Sequence, residues 1–176
     1  MSELYTLADQ ALIAFAIIGI FISWKNPIAT WFFLSYLMII SIDLTFSYIS
    51  FEWKVHYYIF QAILNIAFII PIVYRRNLAL FLYQKTDSRF FKQAYEKQTL
   101  SSQECMILLI FLGAALVNIF TWLEILAYKH YWIDNAYIKL YVRNNIIMLI
   151  QLVLCVCFVA YAIQSKSRDW NYEATK

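Results

Sequence analysis

The stretch Trp31–Phe51, WFFLSYLMIISIDLTFSYISF, contains no Lys, Arg or Glu and a single carboxylate, Asp43, near its middle. As a helix rising ~1.5 Å per residue it reaches about 30 Å, the thickness of a bilayer's hydrocarbon core. A carboxylate at that depth costs roughly 2.5–3.5 kcal/mol on insertion scales, so it has to be neutralised, paired or used. The stretch therefore reads as a membrane span with a functional candidate inside it.

Four further apolar runs of comparable length flank it, at Leu7–Trp24, Tyr57–Tyr74, Cys105–Tyr128 and Ile138–Ile163. The expected fold is all-α: one polytopic transmembrane bundle over residues 1–176, with about five spans. Composition agrees, since 63% of residues are hydrophobic and 14% charged, against about 25% charged in soluble domains. Residues 1–10 hold Glu3 and Asp9 but no Lys or Arg, so the first run is expected to stay rather than be cleaved as a signal peptide. Thr6 with Asp9, and Ser101 with Glu104, have capping-box spacing and are expected to open the first and fourth helices. Asn26-Pro27 predicts a turn, and Pro71 predicts a kink late in the third span.

Lys and Arg set the orientation. Five spans put Lys25, Arg75, Arg76, Lys85, Arg89, Lys92, Lys97, Lys166, Arg168 and Lys176 on one side, and Lys54, Lys129, Lys139 and Arg143 on the other. Ten against four places the C-terminus in the cytoplasm and the N-terminus outside. The expected location is the inner or plasma membrane, multi-pass. Trp24, Trp31 and Tyr74 would mark the cytoplasmic interface, and Trp53, Tyr57, Tyr58, Tyr128, Tyr131, Trp132, Tyr137 and Tyr141 the outer one.

Residues 75–104 form the one sizeable segment outside the spans. A short amphipathic helix is expected from about Arg89 to Gln98, with Phe91, Ala94 and Tyr95 on one face and Lys92 turned away. Arg89, Phe91, Lys92 and Tyr95 are its candidates for contact with headgroups or a docked partner.

Within the spans, polar residues fall at similar depth. Asp43 lies about 18 Å from the cytoplasmic boundary by helical rise, Asn118 about 20 Å, Asn65 about 18 Å and Gln151 roughly 10 Å. Asp43, Asn65, Asn118 and Gln151 thus form a candidate intramembrane cluster drawn from four helices. Tyr36, Asp43, Ser47 and Ser50 share one face, Gln61 and Asn65 another, and Asn144, Met148, Gln151 and Cys155 a third. Ala114, Asn118 and Thr121, with Gly113 adjacent, form a stripe where a neighbouring helix would approach closely. Either Asp43 is held by Asn65 or Asn118 as interhelical glue, or it passes a proton or cation along the amides. Glu124 and Arg143, at matching depth near the outer ends of the last two spans, are expected to form a structural ion pair.

Catalytic motifs are missing: no G-x-S-x-G, no H-E-x-x-H and no Gly-rich phosphate loop. His56 and His130 fall at the outer interface, and Cys105, Cys155 and Cys157 have neither zinc nor disulfide spacing, so no metal and no cofactor is expected. The basic residues follow the orientation rule and form no nucleic-acid module. The reading is an integral membrane protein without a catalytic site, whose partners are the lipid bilayer and either further copies of itself or another membrane protein. The alternative is an ion- or proton-conducting pore, as a lytic or depolarising effector would form, with Asp43 in the pathway.

Overall fold

A computed structural model of the chain describes residues 2–53, 55–96 and 100–174, with side chains described outside 2–9, 47, 48, 50, 51 and 166–174. Lys54, Lys97 and Lys176, and the side chains of Thr6, Asp9, Ser47, Ser50, Lys166 and Arg168, therefore lie outside the described residues. The described chain is helical: α1 (Ser2–Ile22), α2 (Pro27–Glu52), α3 (Tyr57–Val73), α4 (Arg75–Thr86), α5 (Arg89–Glu96), α6 (Ser102–Lys129), a π-turn (Ile138–Val142) and α7 (Arg143–Ala174). Three helical stretches are long and apolar enough to cross a membrane: Pro27–Phe46, Ser102–Lys129 and Ile138–Ser165. Counting the bent pair α3 and α4 as one span makes four, and Gln10–Ile22 adds a shorter apolar helix.

α1 packs on α2, α2 on α3, α3 on α6, α6 on α7, and α7 back on α1. The five long helices thus close a ring. Its faces follow the sequence: Phe32, Phe33 and Tyr36 are buried while Leu34 and Met38 on the other face of α2 are exposed. An exposed belt of Leu and Phe is what lipid would cover.

The ring is tied most tightly at the end holding Tyr74. Asn26 caps α2, its Oδ1 accepting from Ile28 N at 3.1 Å and Ala29 N at 3.4 Å, with Pro27 at the first helical position. The Asn26 Nδ2 also donates to the Ser165 carbonyl at 3.4 Å, joining this turn to α7. Gly19 is required nearby: a Cβ there would sit 2.5 Å from the ring of Phe33, whose full burial leaves no room to yield. Gly113, in contrast, has open space where a Cβ would project, so its missing side chain serves no packing within the chain.

α3 runs through Pro71 to Val73, and the sharp bend falls at Tyr74, where α4 departs at 70°. The Pro71 carbonyl accepts from Trp31 Nε1 at 2.9 Å, which makes Trp31 a buried tie between α2 and α3. Residues 75–104 hold two helices where one was expected. α4 forms because Leu78, Ala79 and Leu82 repeat at helical spacing against the core, and it ends at Asp87 in the left-handed region (φ 48°), which Asp tolerates. α5 then folds back along α4 and α2. Its face is already occupied: Ala94 is buried, Phe91 meets Trp31 edge-on at 6.2 Å, and Arg76 lies 5.6 Å from the Tyr95 ring. Arg89 and Lys92 remain exposed.

Beneath that hairpin sits a fully buried ion pair. Glu104 Oε1 accepts from Arg75 Nη2 at 2.5 Å and from Tyr161 Oη at 2.7 Å, while Oε2 accepts from Ser101 N at 2.9 Å. Ser101 Oγ in turn accepts from Glu104 N, completing the capping box expected at the start of α6. Removing one partner of a buried pair leaves the other charge uncompensated, costing about 3–5 kcal/mol, whereas removing both costs far less. Glu104→Ala is thus expected to lower the temperature at which the chain loses its monodisperse peak in mild detergent, and Arg75→Met with Glu104→Met to lower it less. Equal losses for the single and double variants would show that the pairing does not carry this stability.

Candidate functional site

Between the five long helices, on the side of the ring away from Tyr74, lies a cavity of about 200 Å³. Every long helix contributes to its wall, and six charged or amide side chains reach it: Asp43, Gln61, Asn65, Asn118, Arg143 and Gln151. The four residues singled out by depth along separate helices therefore share one cavity, because a closed ring leaves an inward polar face no other place to go. Gln61 and Arg143 join them.

The floor is aromatic. Phe32 packs against Phe33, Phe68, Phe158 and Tyr161 at centroid distances of 4.9–5.8 Å. Phe68 lies 4.4 Å from Phe111, and Tyr36 lies 4.8 Å from Phe158 with rings near perpendicular. Edge-to-face pairs of this kind hold shape better than aliphatic packing, since ring quadrupoles favour specific angles. The cluster runs from Tyr36 and Phe111 in the cavity wall to Tyr161, which donates to Glu104.

Asp43 is half-buried, and its Oδ1 accepts from Gln61 Nε2 at 2.8 Å. The partner is thus Gln61 and neither Asn65 nor Asn118. Gln61 lies one turn before Asn65 on the same face of α3, so the shared face was readable and the vertical offset of α2 against α3 was not. Asn65 makes no side-chain hydrogen bond among the described residues. Asn118 is buried and occupied: its Nδ2 donates to the Ala114 carbonyl at 3.1 Å, and its Oδ1 accepts from Arg143 Nε at 3.1 Å. Gln151 is buried on the α7 side.

Arg143 changes role. Its expected ion pair with Glu124 does not form: among the described residues the one ion pair within 4 Å is Arg75–Glu104. The Glu124 carboxylate instead caps the start of the last helical stretch, accepting from Ile138 N at 2.8 Å and Lys139 N at 2.9 Å. Unsatisfied amides at a helix start attract an anion strongly enough to hold it there. The π-turn begins at that cap, and Arg143 N–H closes it by donating to the Ile138 carbonyl five residues back. The wider turn shifts the helical phase of α7. Arg143 is consequently 7% exposed, between the exposed Val142 and Asn144. Its guanidinium lies 4.7 Å from the Tyr58 ring centre and 5.9 Å from that of Tyr57, and Nη1 donates to Asn144 Oδ1 at 3.2 Å. Cation–π contact and amide oxygens thus take the place of a counter-ion.

The site can hold charge without metal-ligand geometry: among the described residues no three His, Cys, Asp or Glu side chains converge. The exposed Tyr131 and Trp132 at the nearby turn, where Tyr131 adopts φ 58°, lie outside the cavity wall. No protein-family profile, curated protein or solved structure matches the chain.

The cap at Glu124 makes a local prediction. Glu124→Ala is expected to cost about 1–2 kcal/mol locally and to speed amide hydrogen exchange across residues 137–143. Arg143→Met should leave exchange at Ile138 and Lys139 unchanged. The reverse pattern would restore the ion-pair account.

Proposed function

We propose that the chain is a multi-pass protein of the inner or plasma membrane that conducts or carries a small charged or dipolar solute, proton included, with Asp43 in the pathway. The observation that carries this reading is the convergence of Asp43, Asn65, Asn118 and Gln151 on one cavity inside a single chain. Amides placed only as interhelical glue would pair off and fill the space between helices. Here Asp43 keeps one oxygen, Oδ2, without a donor among the described residues, and Asn65 faces the cavity unbonded.

The aromatic floor gives this pathway a closed state. Solute reaches the polar cavity from one side and passes only when the rings of Phe32, Phe68 and Phe158 rearrange. No helix interruption of the broken-helix transporter type occurs within α2, α6 or α7, so the moving part would be the plug or the helices as rigid bodies. In this reading the protein is not an enzyme. The assembly reading has less behind it: the exposed Leu109, Leu112, Leu116 and Phe120 on α6 are what lipid covers as readily as a subunit does.

The topology we assign has five spans, with α1 as the first and α3 as the third, and α4 turned away at the cytoplasmic end. The N-terminus is outside and the C-terminus cytoplasmic. Supporting it, the α1–α2 turn, the α3–α4 bend, the start of α6 and residues 161–165 of α7 are bonded together at one end. An odd number of crossings produces that arrangement. The Tyr74 end, carrying Lys25, Arg76, Lys85, Arg89 and Lys92, is then cytoplasmic, and the cavity lies toward the outside.

Two experiments test the pathway and the topology. In proteoliposomes reporting proton, potassium and radiolabelled glycine flux, Asp43→Asn should reduce at least one flux by about tenfold or more, the cost of losing a charge-bearing step worth ~1.4 kcal/mol. If all three match wild type at equal protein density, the pathway reading is wrong. A reporter active only in the cytoplasm, fused after Lys176, should give signal; a silent fusion that still accumulates would reverse the orientation.

A further inference from the structure

We infer that the solute this cavity takes is a small zwitterion, its carboxylate held by Arg143 and its ammonium by Asp43. The inference rests on the reading of the cavity as the working site and names the substrate class for it. The wall presents one guanidinium, Arg143, and one carboxyl group, Asp43, and the two are not paired with each other. Each is left with unused bonding capacity. Arg143 commits Nε to Asn118 and Nη1 to Asn144, while Nη2 has no acceptor among the described residues. Asp43 commits Oδ1 to Gln61, and Oδ2 has no donor among them. A carboxylate on Arg143 gains a charge-assisted bond, and an ammonium on Asp43 gains another.

Charge balance favours a dipolar ligand over a simple ion. The cavity is neutral as a whole when both groups are ionised, so a bound anion or cation adds a net charge in a low-dielectric surrounding. A zwitterion satisfies both wall charges and leaves the sum at zero. On the same wall, Asn65 offers an amide that can donate or accept. Tyr57 and Tyr58 cover Arg143 from one side, so the guanidinium is fixed in direction before any ligand arrives.

Size narrows the class. At roughly 30 Å³ per water-sized site, a cavity of about 200 Å³ takes about seven non-hydrogen atoms. Glycine, β-alanine and 4-aminobutyrate span that range and differ only in the separation of their charges. A nucleotide, a sugar phosphate or a dipeptide exceeds it.

The test uses the full chain in lipid nanodiscs and follows its melting midpoint. At millimolar concentration at least one of glycine, β-alanine and 4-aminobutyrate should raise the midpoint by about 3 °C or more. Acetate and methylammonium, separately or together, should not. Asp43→Asn and Arg143→Gln should each abolish the rise, and Arg143→Lys, which keeps a cation, should retain part of it. If Arg143→Gln does not yield folded protein, the wild-type panel and Arg143→Lys decide alone. No rise with any of the three zwitterions overturns the inference. So does a rise with acetate that survives Asp43→Asn, which would make this an anion site, or one with methylammonium that survives in Arg143→Lys at full size, which would make it a cation site. The flux assay separates the two levels: Asp43-dependent proton or potassium flux without zwitterion binding removes the substrate class and keeps the pathway. Zwitterion binding with no Asp43-dependent flux removes the pathway.

Discussion

The Glu104 carboxylate holds together more of this structure than any other single group. Its two oxygens receive the Arg75 guanidinium, the Tyr161 hydroxyl and the Ser101 amide, so one buried anion fixes the start of α4, the start of α6 and the middle of α7. A buried charge is tolerable only when its lone pairs are met, and here three donors meet them. What depends on it is geometric. With Arg75 anchored, the chain must bend at Tyr74, and the α4–α5 hairpin is carried back across the bundle end. That return seats Phe91 on Trp31, and Trp31 on the Pro71 carbonyl. The aromatic plug lies immediately inside this closure.

The molecule is accordingly divided along its length. One end is tied by hydrogen bonds from Asn26, Thr30, Trp31 and Arg75, then sealed by rings. The other end holds a polar cavity whose charged groups are bonded on one side only. Arg143 reaches that cavity because Glu124 is used as a helix cap and the π-turn shifts the phase of α7. Had Glu124 paired with Arg143, the cavity would contain a lone carboxylate and would favour cations. The choice of cap over ion pair therefore sets the charge character of the site.

Parts of this were legible in the sequence because they depend on local chemistry. Ser101 with Glu104 predicts its own capping box, since both bonds lie within one turn of helix. Asn26-Pro27 predicts a turn for the same reason, and the structure adds that Asn26 caps α2 there. Other parts were not legible, because one residue had two possible partners of equal chemical merit. Glu104 reads as a capping residue and Arg75 as an orientation charge; that they meet depends on α3 and α6 packing side by side. Asp43 had Asn65 and Asn118 within reach by helical rise, and a vertical offset of one turn brought Gln61 to it instead.

Residue order alone predicts the class, an all-helical chain of about five apolar spans of which the structure supports three to four, and a set of polar side chains on helical faces that lipid cannot satisfy. It does so because hydropathy and the 3.6-residue period are properties of single segments, and hydrocarbon offers no partner for a stray amide or carboxylate. Packing in three dimensions was needed to establish that the ring closes through α1 and α7, that the polar faces enclose a space instead of filling it, and that Arg143 shares that space with Asp43 while Glu124 does not. Those outcomes depend on the axial offsets and rotations of helices against one another, which are set by packing shapes such as Gly19 under Phe33 and by phase shifts such as the π-turn. Neither leaves a pattern in a single segment, so neither can be read before the segments are put together.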